Sequence, residues 1–213
     1  MSDAHYNTDE RKQQIQQSFV KSVHAGYTMK VLHDQGVYRH LRLKLDHTWF
    51  DIITAPGVLL YTGDMGDFAF RRIEDMFQFF RPQEDPIAHG FYLNLAYWTE
   101  KLVSVDRTDG YVEYSQELFV RELRELVDDT EEDSVSEEQA AQIREILESR
   151  LEPETDVEAF RMMSEVFDCS EDYAHMGERA SRRYIWCLFA IVWAIHVYDS
   201  NKAACSIEAT EAT

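Results

Sequence analysis

The fifteen residues "YIWCLFAIVWAIHVY", Tyr184 to Tyr198, contain no Asp, Glu, Lys or Arg, and they constrain this chain more than any other stretch. They are fewer than the roughly 20 apolar residues that cross a bilayer, so they read as a helix within a protein interior. A helix that is apolar all round must be enclosed on every side. The rest of the chain has to supply the enclosure.

From Asp9 to about Asp34, Ile15, Phe19, Val23, Tyr27 and Val31 recur four residues apart. That spacing predicts one amphipathic helix, with Gly36 at its end. The period then becomes two. In "VYRHLRLKL", Val37, Leu41, Leu43 and Leu45 (with Arg39) alternate against Tyr38, His40, Arg42 and Lys44. "TWFDIITA", "VLLYTG" and "DFAFRR" follow, separated by Asp46–His47, Pro56–Gly57 and Asp64–Met65–Gly66. Turn residues at that spacing predict an antiparallel meander of four strands over about 37–71. Beyond it the pattern is helical: "IEDMFQFFR" stops before Pro82, and "FYLNLAYWTEKLVSV" forms another segment. Ser115 and Ser136 sit where N-caps belong, and Pro153 precedes a further helix. The expected fold is α+β, a meander packed against several helices with a mostly helical C-terminal half. It is read as a single domain over 1–203, with an acidic helical part at about 113–172, a buried helix at about 178–199 and a disordered tail at 204–213.

The chain has 21 basic and 40 acidic side chains, a formal charge of −19. Residues 1–110 hold 12 basic and 15 acidic groups, whereas residues 111–213 hold 9 and 25. Such a balance argues against non-specific binding to nucleic acid or to anionic membranes, which depends on Lys and Arg neutralising phosphates. The densest run, "DDTEEDSVSEE", places carboxylates at Asp128, Asp129, Glu131, Glu132, Asp133, Glu137 and Glu138. It reads either as a solvated loop between helices or as a contact for a cationic groove. Cys169, Cys187 and Cys205 are too far apart for a CxxC site or a disulfide framework, so reduced thiols in a cytoplasm are expected. The polar opening "MSDAHYNTDERKQQIQQ" is not that of a signal peptide.

Candidate chemistry centres on "YTGDMGDFAFRR". Asp64 and Asp67 could present hard oxygen ligands, and Arg71 and Arg72 could grip a phosphate or carboxylate, which makes these four residues the alternative ligand site. Gly63 and Gly66 equally suit the backbone of a tight hairpin, and the loop is followed by a strand instead of the helix that a phosphate loop opens. No two of the eight histidines stand at HxH, HxxxH or HExxH spacing, so no metal site is indicated, and no GxSxG frame marks a nucleophile. No cofactor is implied, and an enzyme is the weaker reading.

The segments "VLHDQGVYRHLRLK", "FDIITAPGVLLYTGDMGDFAFRRIEDMFQFFR", "YLNLAYWTEKL" and "YIWCLFAIVWAIHVYD" together resemble a family of uncharacterised tailed-phage and prophage proteins. The most specific pattern, PGxLxxxGDMGxxxFxRxxDMFxFFR, matches from Pro56 to Arg81. Where NPxYW is expected before "EKL", the chain has Asn94-Leu95-Ala96-Tyr97-Trp98, without the proline. The resemblance implies a phage origin and carries no reaction. It directs the functional expectation to an acidic counter-defence protein in the cytoplasm of an infected bacterium, one that inhibits a host CRISPR or restriction protein by contact with a basic surface. The partner would be that protein, with no direct nucleic-acid or membrane contact. The alternative is a small-ligand- or nucleotide-binding protein, or an enzyme, built on the GDMGD hairpin with Arg71 and Arg72.

Overall fold

A computed structural model describes residues 9–107, 110–128, 135–149, 153–167 and 173–211. The chain divides into two compact units, a sheet unit within Asn7–Tyr111 and Ser181–Thr213 and a helical unit within Val112–Ala180. No helix among the described residues is long and apolar enough to cross a membrane.

The sheet unit opens with helix α1 (Asp9–His24) and continues as β1 (Tyr27–Gln35), β2 (Tyr38–Leu45), β3 (Trp49–Ala55), β4 (Val58–Gly63) and β5 (Gly66–Arg71). Three short helices follow, α2 (Met76–Phe80), α3 (Pro86–His89) and α4 (Leu95–Thr99), and then β6 (Leu102–Val105). The six strands form one antiparallel sheet in the order β1-β2-β3-β4-β5-β6. The meander therefore has six strands where four were expected. The first extra strand arises where the helical stripe was extended too far. Positions four apart share a face of a helix, but they also share a face of a strand, so Tyr27 and Val31 satisfied both periods. Gly26, at φ +119°, ends α1 first, and β1 then pairs with β2 from Tyr27↔Leu45 to Gln35↔Tyr38. Gly36, read as a helix end, turns this hairpin at φ +62°. The second addition, β6, comes from "LVSV", where Val103 and Val105 favour extended backbone and Leu102 pairs with Phe70.

One face of the sheet carries Leu41, Leu43, Leu45, Phe50, Ile52, Leu59, Tyr61, Phe68 and Phe70, each at most 2% exposed. Against it lies the last helix, α8 (Arg182–Glu211), which runs past the expected Asp199 and through residues 204–211 of the tail expected to be disordered, where no Gly or Pro stops it. From Tyr184 to Ile195 no residue of α8 exceeds 5% exposure. Phe19 of α1 closes the other side, its ring centroid 5.2 Å from that of Trp186, 5.8 Å from Trp193 and 5.6 Å from Phe91. At the end of the sheet, Arg39 forks onto Asp75 at 2.8 and 3.1 Å, while Asp75 also caps α2 by accepting from the Phe77 amide at 3.0 Å.

The helical unit comprises β7 (Val112–Tyr114), α5 (Gln116–Asp128), α6 (Glu137–Ser149), α7 (Asp156–Val166) and β8 (Glu178–Ala180). Its core joins Phe119, Leu123, Ile143, Ala159, Met163 and Phe167. Ser115 accepts from the Leu118 amide at 3.3 Å. Ser136 and Gln139 cap α6 reciprocally, at 2.9 and 3.2 Å. Gly177, at φ +77°, passes so close to α5 that an added Cβ would lie 2.7 Å from Tyr114 and 2.9 Å from Phe119. The buried Glu122 carboxylate accepts from the Gly177 amide at 2.7 Å.

Because Phe19 is fully buried among four aromatic rings on and beside α8, Phe19→Ala should lower stability by about 3–5 kcal/mol. Urea denaturation followed by circular dichroism measures it.

Candidate functional site

The hairpin residues are occupied by backbone. Asp64 accepts from the Trp49 amide at 3.0 Å, and its own amide donates to the Trp49 carbonyl at 3.2 Å. Gly63 is required by close approach: an added Cβ would lie 2.4 Å from the Trp49 oxygen and 2.7 Å from Phe50 Cα. Gly66 turns the chain at φ +117°. These contacts account for both glycines and for Asp64 as parts of a β4–β5 turn strapped to β3.

The four residues of the alternative ligand site do not converge. Asp67 stands near the start of β5 and Arg71 at its end, and four strand residues at about 3.3 Å each separate them by about 13 Å. The Arg71 amide donates to the Lys101 carbonyl at 2.9 Å, and Arg72 Nε donates to the Tyr97 hydroxyl at 3.1 Å, so this end of β5 holds α4 and β6 in place. Among the described residues no group of three or more His, Cys, Asp or Glu could hold a metal ion. Cys187 is free and fully buried beneath the hairpin, its thiol 3.6 Å from the Met65 carbonyl and its pKa pushed far up by burial. That environment suppresses the thiolate.

The acidic run is only partly described. Asp128 ends α5, and Glu137 and Glu138 occupy the first turn of α6, all three exposed; Asp129, Glu131, Glu132 and Asp133 lie outside the described residues. Glu137 and Glu138 suit the positive end of their helix dipole, whereas Asp128 sits at the negative end of its own. The larger fact is the balance of the whole unit. Val112–Ala180 contains 22 carboxylates and 6 arginines, without a lysine. Its own Arg side chains can neutralise at most a minority of them. Exposed carboxylates continue along α6 and α7 at Glu145, Glu148, Glu154, Asp156, Glu158 and Glu165.

A further cluster lies on the outward face of the sheet. Asp51 on β3 is 4% exposed, although it faces away from α8. It accepts from Arg42 Nε and Nη2, both at 2.8 Å, and lies 2.9 Å from His40 Nε2. The Arg42 hydrogen bonds, assisted by His40, hold the Asp51 carboxyl below its ordinary range against the opposing effect of burial. The Arg42 guanidinium lies 5.7 Å from the ring of Trp49, which is 42% exposed. The polar side of "VYRHLRLKL" was visible as alternation, but bringing Asp51 and Trp49 beside it required the β2–β3 register, which places Arg42 opposite Asp51 and Lys44 opposite Trp49.

No protein-family model, curated protein or solved structure matches this chain.

The depressed Asp51 pKa fixes the sign of a pH effect. Its ion pair stabilises the fold fully above the unfolded carboxyl's pKa, near 4, and the contribution is lost as pH falls through the lower folded value. The stability difference between the native chain and Asp51→Asn should therefore be constant from neutral pH to about 5 and shrink steadily below about 4. Urea titrations at a series of pH values measure it.

Proposed function

We propose that this chain is a binding protein whose helical unit presents carboxylates to the basic surface of another protein and acts by occupying that surface. The observation that carries the reading is the segregation of charge. The 22 carboxylates and 6 arginines of Val112–Ala180 contrast with 17 acidic and 15 basic side chains in residues 7–111 and 181–213. Self-repulsion within one small unit destabilises it, and folding offers no compensation at Asp128. A cationic partner does offer one, and it would be drawn in by long-range attraction that speeds association.

A partner of this kind normally uses its basic surface for nucleic acid, so occupying the surface is inhibitory in itself. The phage resemblance of the Pro56–Arg81 segment supports a host defence protein as the target. On this reading the GDMGD hairpin and Arg71–Arg72 are scaffold, in keeping with the backbone partners of Asp64 and the separation of Asp67 from Arg71.

Affinity capture from bacterial lysate with the full chain tests the proposal. One protein should be retained at about 50 mM salt and released by about 500 mM, where the screening length falls to a few ångströms. Reversal of exposed charges in Glu138→Lys, Glu145→Lys and Glu148→Lys together should abolish capture while leaving the melting temperature near that of the native chain. Capture unaffected by salt and by the reversal would overturn the reading.

A further inference from the structure

The outward face of β1–β3, within the sheet unit, has its own chemistry. Along β2, Tyr38, His40, Arg42 and Lys44 point away from α8, since the intervening Leu41, Leu43 and Leu45 are the buried ones. The register sets His33 beside His40 and Lys30 beside Arg42 on one side, and Trp49 beside Lys44 on the other. Three permanent cations and two imidazoles thus occupy neighbouring positions. Lys30 directly opposes Arg42, an arrangement of like charges that costs a sheet stability.

The carboxylate at the centre of this group does not face solvent. Asp51, with its side chain 5% exposed, commits both oxygens to Arg42 and His40. It engages Nε and Nη2 of Arg42 and so fixes the guanidinium plane near Trp49. Trp49 is 42% exposed and Tyr38 52%, while Trp98, Trp186 and Trp193 are each at most 6% exposed. An open sheet face with exposed aromatics interleaved among cations is a stacking platform flanked by phosphate contacts.

We propose that this face binds single-stranded nucleic acid, with one base stacked on Trp49, another on Tyr38, and the intervening phosphates on Lys44, Arg42 and Lys30. Tyr38 lies six strand residues from Lys44, the neighbour of Trp49, or about 20 Å. A free nucleotide cannot bridge that distance, and a few linked nucleotides can. A duplex would keep its bases stacked inside and leave the aromatics unused. An acidic protein segment would satisfy the cations but not the exposed rings. The chain's net charge of −19 does not decide the matter, because Val112–Ala180 carries 22 carboxylates against 6 arginines, whereas the sheet unit, with 17 acidic and 15 basic side chains, is nearly balanced. Carboxylates at the rim are Asp46, in the β2–β3 turn 3.1 Å from His47 Nε2, Asp64, tied to the Trp49 amide, and Asp67, which shares the row of Lys30, Arg42 and Asp51 two strands further on. The exclusion of nucleic acid drawn from overall charge therefore applies to the chain's average and not to this face.

The test titrates the full chain at about 50 mM salt with a fluorescein-labelled oligothymidylate of about 12 nucleotides, within the site sizes known for such platforms. Parallel arms use the corresponding duplex, thymidine monophosphate and polyglutamate. The single strand should raise the anisotropy of the label and quench tryptophan emission. Trp49→Leu should weaken binding about tenfold and remove the quenching, Trp49→Phe should recover most of the affinity, and Lys30→Gln with Lys44→Gln should flatten the dependence on salt. These exposed side chains are chosen because loss of Arg42 would strand the buried Asp51, and unchanged urea midpoints check folding. Absence of single-strand binding overturns the proposal. So does mononucleotide or duplex binding of equal strength, or polyglutamate binding that is indifferent to Trp49→Leu, the last of which would make the face a receiver of protein carboxylates.

Discussion

From Tyr184 to Ile195, helix α8 has no side that water can occupy, and the sheet unit is arranged to meet that constraint. A helix from Tyr184 to Tyr198 without a charged side chain must be enclosed by apolar surface throughout its circumference, and a single flat sheet covers only part of it. The meander supplies one wall through alternate residues of β2–β5. Phe19 of α1 supplies another, and Phe77 of α2 packs edge-on against Tyr198 at 5.4 Å. Since the inward positions of each strand are committed to α8, the outward positions are released from packing, and it is there that Arg42, Lys44 and Trp49 stand.

Much of this was legible in the chain. The turns at Pro56–Gly57 and Asp64–Gly66, with alternation between them, placed β2 to β5 to within a residue or two, because turn chemistry and period are local properties. The strands β1 and β6 were not legible as strands. Tyr27 and Val31 continue a four-residue stripe that helix and strand share, and only the backbone of Gly26 breaks the tie. "LVSV" follows a helix too closely for its β-branched residues to be noticed. Of the candidate sites, the acidic run was plain as composition, while the separation of Asp67 from Arg71 was hidden, since residues four apart look adjacent in print and are held apart by an extended strand. The outward cluster was the least visible, because register and not sequence distance joins Lys30, Arg42, Asp51 and Trp49.

Charge is handled in two opposite ways in the same chain. In the sheet unit, carboxylates are individually matched: Asp75 to Arg39, Asp51 to Arg42, Asp199 to Arg81, and Asp34 to Lys202 and the Tyr198 hydroxyl. Asp34 and Asp51 are held below the ordinary carboxyl range chiefly by these hydrogen bonds, and Asp75 is lowered by Arg39 in spite of burial. In the helical unit, Arg121, Arg144 and Arg179 pair with Glu125, Glu137 and Glu113, but carboxylates outnumber arginines too heavily for general matching, and the burial of Glu122 is compensated by the Gly177 amide. A unit that can satisfy a buried carboxylate with a backbone donor, yet leaves many others in solvent, shows that its charge is tolerated by the fold and is not required by it.

The two Arg–Asp forks of β2 sharpen the distinction between a structural ion pair and one that serves a surface. Arg39 lies on the inner side with its side chain 10% exposed, sits 4.5 Å over the Phe77 ring, and reaches Asp75, 36 residues away, so it fastens α2 to the sheet. Removing it would free an element. Arg42 forms an equally short fork with Asp51, but these residues are direct partners in strands already joined by their ladder from Arg39↔Thr54 to Lys44↔Trp49. The fork adds no new connection between elements, and the Arg42 side chain remains 51% exposed beside a half-exposed tryptophan. Burying a carboxylate to orient an arginine that joins nothing further has a cost in desolvation that the ladder does not need met. What the arrangement achieves is a fixed guanidinium plane on an open face, the preorganisation that a ligand-binding surface requires and a packing contact does not.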